Sequence, residues 1–120
     1  MKKLSFLIIL ILSSLLSMAQ TVKYSNSATI TYPDKHTEKI DIYGKFIVGK
    51  DYINLYNLKD NLKLISSYKV AEYDILEDTQ TPYCRAVDSE KNNVIIILFY
   101  TYNKITIKYQ NWSIEYNLTE

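Results

Sequence analysis

The sequence predicts an all-β fold: a small antiparallel meander of about eight to ten strands that closes into a barrel or a barrel-like sandwich. Three observations predict it. Ile, Val, Thr and Tyr, which pack well on a pleated surface, supply 39 of the 101 residues from Gln20 to Glu120. Apolar and polar residues alternate with a period of two, as a sheet with one wet face requires. The polar stretches between strands are short, which favours hairpin neighbours over long crossovers.

The first nineteen residues stand apart from that pattern. Met1-Lys2-Lys3 is a short positive start, residues 4–16 are apolar apart from Ser5, Ser13 and Ser14, and Ser17-Met18-Ala19 ends in small residues. This order predicts a cleaved secretory signal peptide over 1–19, a mature chain beginning at Gln20, and one domain over 20–120. The expected location is outside the cytoplasm, either periplasmic or extracellular. The apolar segment is shorter than the about 20 residues that span a bilayer, so no stable membrane span is expected after cleavage. Cys84 is the one cysteine. No internal disulfide can form, and the domain must hold by packing and backbone pairing.

The strands follow in order. Residues 28–32 form a short strand ended by Pro33-Asp34, and 37–43 places Ile40 and Ile42 on one face. Gly44 marks a bulge or a close approach, because glycine leaves a strand without a side chain to pack. Residues 45–48 and 51–56 flank Gly49-Lys50, which fits a two-residue turn with glycine first, and Ile53 and Leu55 share a face. The polar stretch 57–61 is a turn in which Leu58 folds inward or stays out. Strands are expected over 62–65, 68–76 and 81–87, with the Glu77-Asp78-Thr79-Gln80 connector before the last. Leu62, Ile65 and Lys69 also have approximate helical spacing, so a single helical turn within 59–72 is the competing expectation. The Asp88-Ser89-Glu90-Lys91-Asn92 stretch leads to the apolar 93–100, whose length is that of a buried strand. A turn over 101–103 precedes the final hairpin. There Ile105, Ile107 and Tyr109, then Trp112, Ile114, Tyr116 and Leu118, point inward about a Gln110-Asn111 turn.

Composition excludes several functions. Residues 20–120 carry 12 Lys or Arg and 13 Asp or Glu, a net charge of −1 dispersed over many strands, so nucleic-acid binding is not expected. Nucleophilic catalysis needs an activated nucleophile, a base and a group that orients it. His36, the single histidine, lies in a polar turn, and Cys84 reads as a small buried apolar residue. Gly44 and Gly49 are the only glycines and make no phosphate-binding motif. One Cys and one His do not make a zinc site. Glu72, Asp74, Glu77 and Asp78 are the densest acidic patch, but they lack the spacing of a calcium loop. No cofactor and no enzymatic activity are expected. Asn111-Trp112-Ser113 and Asn117-Leu118-Thr119 match the N-glycosylation pattern and are read as unmodified.

Twelve tyrosines are more than so small a core can hold, so several must face outward and offer broad contact at low entropy cost. Arg85 is the one arginine; it alternates with Tyr83 and Val87 on a strand that runs into the Asp88 turn. Its rigid fork suits a carboxylate or a ring face. Tyr83, Arg85 and Asp88 are therefore the candidate binding residues, against the plainer expectation that Arg85 pairs internally with Asp88 or Glu90. The predicted function is an exported, non-enzymatic module that binds or inhibits an extracytoplasmic protein. The alternative is a carrier of a small apolar ligand in a barrel interior.

Overall fold

A computed structural model of the chain describes residues 20–119. The expected signal peptide lies outside them. The strands are β1 (Thr21–Thr31), β2 (Thr37–Val48), β3 (Tyr52–Asn57), β4 (Lys63–Leu76), β5 (Thr81–Asp88), β6 (Asn93–Phe99), β7 (Lys104–Lys108) and β8 (Ser113–Thr119), with a 3-10 turn at Tyr100–Tyr102. Each strand pairs antiparallel with the next, and β1 pairs with β8, so the sheet closes into an eight-stranded barrel. The predicted meander is the fold, and a barrel is its form.

Closure needs bent strands, and three irregularities supply the bends. They lie between Ser25 and Ser27 of β1, between Leu55 and Tyr56 of β3, and between Val70 and Glu72 of β4. At the first of them Ser25 aligns with Gly44, and both are buried. A Cβ on Gly44 would stand 2.6 Å from Leu55 Cδ1, so this glycine flanks a bulge and makes the close approach its sequence context predicts.

Alternation fills the inside. Phe46, Ile53, Leu55, Cys84, Ile96, Leu98, Ile105 and Ile107 are all at most 1% exposed. Phe46 meets Tyr116 edge-on, with ring centroids 4.9 Å apart at 78°. Ala28, Val48, Tyr68, Ala86, Val94, Ile114 and Leu118 complete the inner layer, with Ile40 and Ile42 packed against it.

Several boundaries differ from the sequence reading. β1 begins at Thr21, because β2 and β8 offer backbone partners on both edges to Ser25 and Ser27, with Asn26 at the irregularity between them. Ser25 Oγ donates to the Asn117 carbonyl at 2.8 Å, which lets a buried serine sit in the wall. Residues 37–48 are one strand, and β4 is one strand where two strands or a helical turn are expected, since cross-strand pairing overrides weak local spacing. Gly49 opens a three-residue connection in which its N–H donates to the Tyr52 carbonyl at 2.9 Å. Neither glycine has positive φ; that role falls to Lys35, Asn61, Leu62, Gln80, Lys91 and Asn103 in the turns. Leu58 stays out, at 40% exposure.

The two ends of the barrel differ. At the end that gathers residues 49–51, 77–80 and 100–103, Tyr73 and Tyr100 pack against the core. The Tyr73 hydroxyl donates to the Gly49 carbonyl, and the Lys23 ammonium lies 4.8 Å from the Tyr100 ring centre. The other end gathers residues 32–36, 58–62, 89–92 and 109–112, and it is open.

Candidate binding groove

The open end carries a groove of about 1380 Å3. Its walls are residues 65–68 of β4, residues 85–95 around the β5–β6 turn, and residues 108–112 of the β7–β8 turn. Tyr68, Ala86 and Val94 of the core lie at its base. A second cavity of about 290 Å3 lies between the β1–β2 turn and the same β7–β8 turn, and both spaces share Lys108, Tyr109, Asn111 and Trp112. The β7–β8 turn is thus a wedge that is accessible from two sides.

That turn is longer than Gln110-Asn111. Lys108 aligns with Ser113, leaving four residues between the strands, and the Tyr109 N–H donates to the Trp112 carbonyl at 2.8 Å. Tyr109 and Trp112 stack nearly parallel, with centroids 4.3 Å apart at 5°. Trp112 is 38% exposed, so the expectation that it joins the inward series is wrong. Once the loop takes four residues, Trp112 precedes β8, and its ring covers Tyr109 at the rim.

Asp88 ties the two turns together. Its Oδ1 accepts the N–H groups of Glu90 (3.0 Å) and Asn92 (2.8 Å), and its Oδ2 accepts from the Asn92 amide (3.2 Å) and the Tyr109 hydroxyl (3.1 Å). The backbone of the β5–β6 turn closes by Lys91 N–H to Asp88 O and Asp88 N–H to Asn92 O, both 3.0 Å, with Lys91 left-handed at φ 68°. Desolvation pushes the Asp88 carboxyl up, but the bonds from Asn92, Tyr109 and Glu90 outweigh it and hold the group below the ordinary carboxylate range. Desolvation first, then the neighbouring Tyr68 and Asp88, pushes Tyr109 above the ordinary phenol range. Around neutral pH the pair is therefore a carboxylate receiving a phenol proton donor, an arrangement that fixes shape.

The depressed value has a consequence for stability. Because the folded value lies below the ordinary 3.8, the stabilisation is complete above that pH and is lost as pH falls through the folded value. Asp88→Ala is expected to lower stability by about 1–2 kcal/mol at pH 7, after allowing for solvent around the carboxylate. The difference should shrink once the pH is taken below 3.8. Urea titrations of both proteins on either side of that value measure it.

Arg85 and Asp88 both line this groove, whereas Tyr83 does not. Tyr83 shares the outer face with Arg85 but lies further along β5 from the open end, aligned with Asp74 on one side and Ile97 on the other. Among the described residues Arg85 makes no ion pair, so the expected internal pairing with Asp88 or Glu90 does not form. The reason is local: every Asp88 contact serves the turn and the Tyr109 brace. Arg85 aligns with Glu72 and Ile95 on the outer face and is exposed.

The remaining candidates lie elsewhere. His36 stacks on Tyr32 with centroids 4.4 Å apart and pairs with Asp34 in the exposed β1–β2 turn. Cys84 is buried, and desolvation pushes its thiol up to about 12, which keeps it protonated and apolar in character. Among the described residues no three of His, Cys, Asp and Glu gather to hold a metal ion, and no helix is long and apolar enough to cross a membrane. Comparison with family models, curated proteins and solved structures finds no match.

Sequence reasoning misses the aromatic stack and the brace. A signal for the brace was present in the Asp88-x-Glu90-x-Asn92 spacing, which suits a carboxylate capping its own turn.

Proposed function

We propose that this protein is an exported, non-catalytic binding module that takes an extracytoplasmic protein in the groove at the open barrel end. One observation carries the reading: the accessible volume lies at the rim, beside the exposed Trp112–Tyr109 stack, while the barrel interior is occupied by fully buried side chains. An aromatic anchor set in a concave polar rim is the composition of an interface hot spot. Arg85, exposed and without an ionic partner among the described residues, adds a fork for a carboxylate on the partner. The residues of the groove bind and brace, and the Asp88–Tyr109 pair is engaged in holding shape.

The alternative of a small apolar ligand needs an enclosed volume of about 300–1,000 Å3. Its support is confined to the groove base at Tyr68, Ala86 and Val94, because the inward faces of Phe46, Leu55, Ile96 and Ile107 meet inside the barrel. Export rests on the 1–19 pattern, and the recovered protein should have the mass of a chain beginning at Gln20.

Trp112 is the chain's only tryptophan, so its fluorescence reads the groove directly. In pull-downs from the native extracytoplasmic compartment, the parent should retain a partner that quenches or shifts this emission. Trp112→Ala should lose about tenfold or more in affinity and Arg85→Ala less, at unchanged melting temperature. Equal retention by parent and Trp112→Ala would remove the groove from the interaction. Retention of nothing across a range of salt would count against a protein partner altogether.

A further inference from the structure

The barrel is closed, yet one length of its wall has a free edge. Pairing of β2 with β3 starts at Gly44↔Asn57 and is extended by one bond, from Leu58 N–H to the Tyr43 carbonyl at 2.8 Å. Pairing of β2 with β1 continues much further, out to Thr31↔Thr37. Residues 37–42 therefore have β1 on one edge and, among the described residues, no strand on the other. They project at the open end. Thr37, Glu38, Lys39 and Asp41 are exposed, and Ile40 and Ile42 are half-buried against the core. A row of unpaired backbone groups in strand conformation is a template for another strand.

We propose that this edge pairs antiparallel with the same edge of a second copy of the chain, about a twofold axis at Ile40. The register follows from face and charge. Directly opposed residues share a face of the joined sheet, so Ile40 and Ile42 must meet inward-facing positions of the partner, while Lys39 and Asp41 meet outward ones. That leaves registers with a residue on the axis. Placing Lys39 there opposes two lysines, and placing Asp41 there opposes two aspartates; Glu38 on the axis opposes two glutamates. Ile42 on the axis runs the pairing onto Tyr43, whose carbonyl is taken by Leu58. With Ile40 on the axis, each Lys39 faces the other copy's Asp41, and the two isoleucines meet at the centre. A twofold contact repeats each of these pairs, as an isologous interface must. Neither cavity at the open end is lined by residues 37–42, so this contact is independent of the groove.

Sedimentation velocity on the protein recovered after export, over a range of concentrations and at two salt concentrations, tests the proposal. The parent should show a monomer–dimer equilibrium that weakens with salt. Lys39→Asp and Asp41→Lys each place like charges opposite one another twice, and each should weaken the dimer by about tenfold or more. An equimolar mixture of the two variants restores both opposite-charge pairs and should dimerise as the parent does. The double variant K39D/D41K should also self-associate. Trp112 emission and melting temperature, which a folded variant keeps, separate loss of pairing from loss of fold. A parent that is monomeric at every concentration would overturn the proposal. So would a dimer indifferent to the single variants, or variants that fail to pair when mixed.

Discussion

Phe46→Ala is expected to destabilise the barrel by about 3–5 kcal/mol. Phe46 is fully buried in β2, and its ring meets the edge of Tyr116 from β8, two strands away across β1. Truncation removes the ring's transfer free energy, breaks the aromatic pair and leaves a void bounded by strands that cannot move inward independently. Phe46 lies where β2 is held on both edges, aligned with Lys23 of β1 and Leu55 of β3, so the wall there has little freedom to collapse around a hole. With no disulfide to limit the unfolded chain, the loss falls on a total of about 5–15 kcal/mol expected for a domain of this size. Urea unfolding of the two proteins should show a lower midpoint with little change in slope. A loss under about 1 kcal/mol would mean that the core rearranges to fill the site.

Gly44→Val should cost about 1–3 kcal/mol, for the opposite reason. Already the first added carbon would lie 2.6 Å from Leu55 Cδ1, and Leu55 is itself fully buried. The branched side chain then forces Leu55 out of place or opens the β2–β3 ladder, which begins at Gly44↔Asn57. Leu55→Ala alone should cost about 2–5 kcal/mol by leaving a cavity. The double variant should lose less than the sum of the two, because the valine enters space the leucine vacates. Strict additivity in a double-mutant cycle would show that the backbone around Gly44, and not its contact with Leu55, determines the cost.

The same two positions show what was legible in the sequence. Gly44 interrupts an alternating run, and an isolated glycine there signals a bulge or a close approach; both are present. Period alone puts Ile53 and Leu55 on one face, and Ile105 and Ile107 on one face, and all four are fully buried. The apolar run 93–100 was harder to read. It has no polar face, yet Ile96 and Leu98 are inside while Ile95 is 41% exposed outside. Ile97 is also on the outer face but only 6% exposed, being aligned with Tyr83 and Thr106. A one-dimensional pattern does not contain the neighbours that cover such a residue. The binding candidates divide in the same way. Arg85 and Asp88 come to one groove, and Tyr83 does not, because residues at even spacing share a face but not a position along the barrel.

The sequence by itself determined the all-β class, the meander order, most turn positions and the inward faces of the central strands. These follow from local chemistry: β-branched and aromatic residues at a period of two, broken by polar connections too short for crossovers. Tertiary structure decided the closure of β1 on β8, and with it the full length of β1, whose polar middle becomes a strand only between two partners. It also decided which end is open, the Asp88–Tyr109 brace, the outward place of Trp112, and the free edge at residues 37–42. Each of these depends on strand register and on unequal strand lengths. Register is set by contacts between residues far apart in the chain, so no stretch of sequence carries it alone.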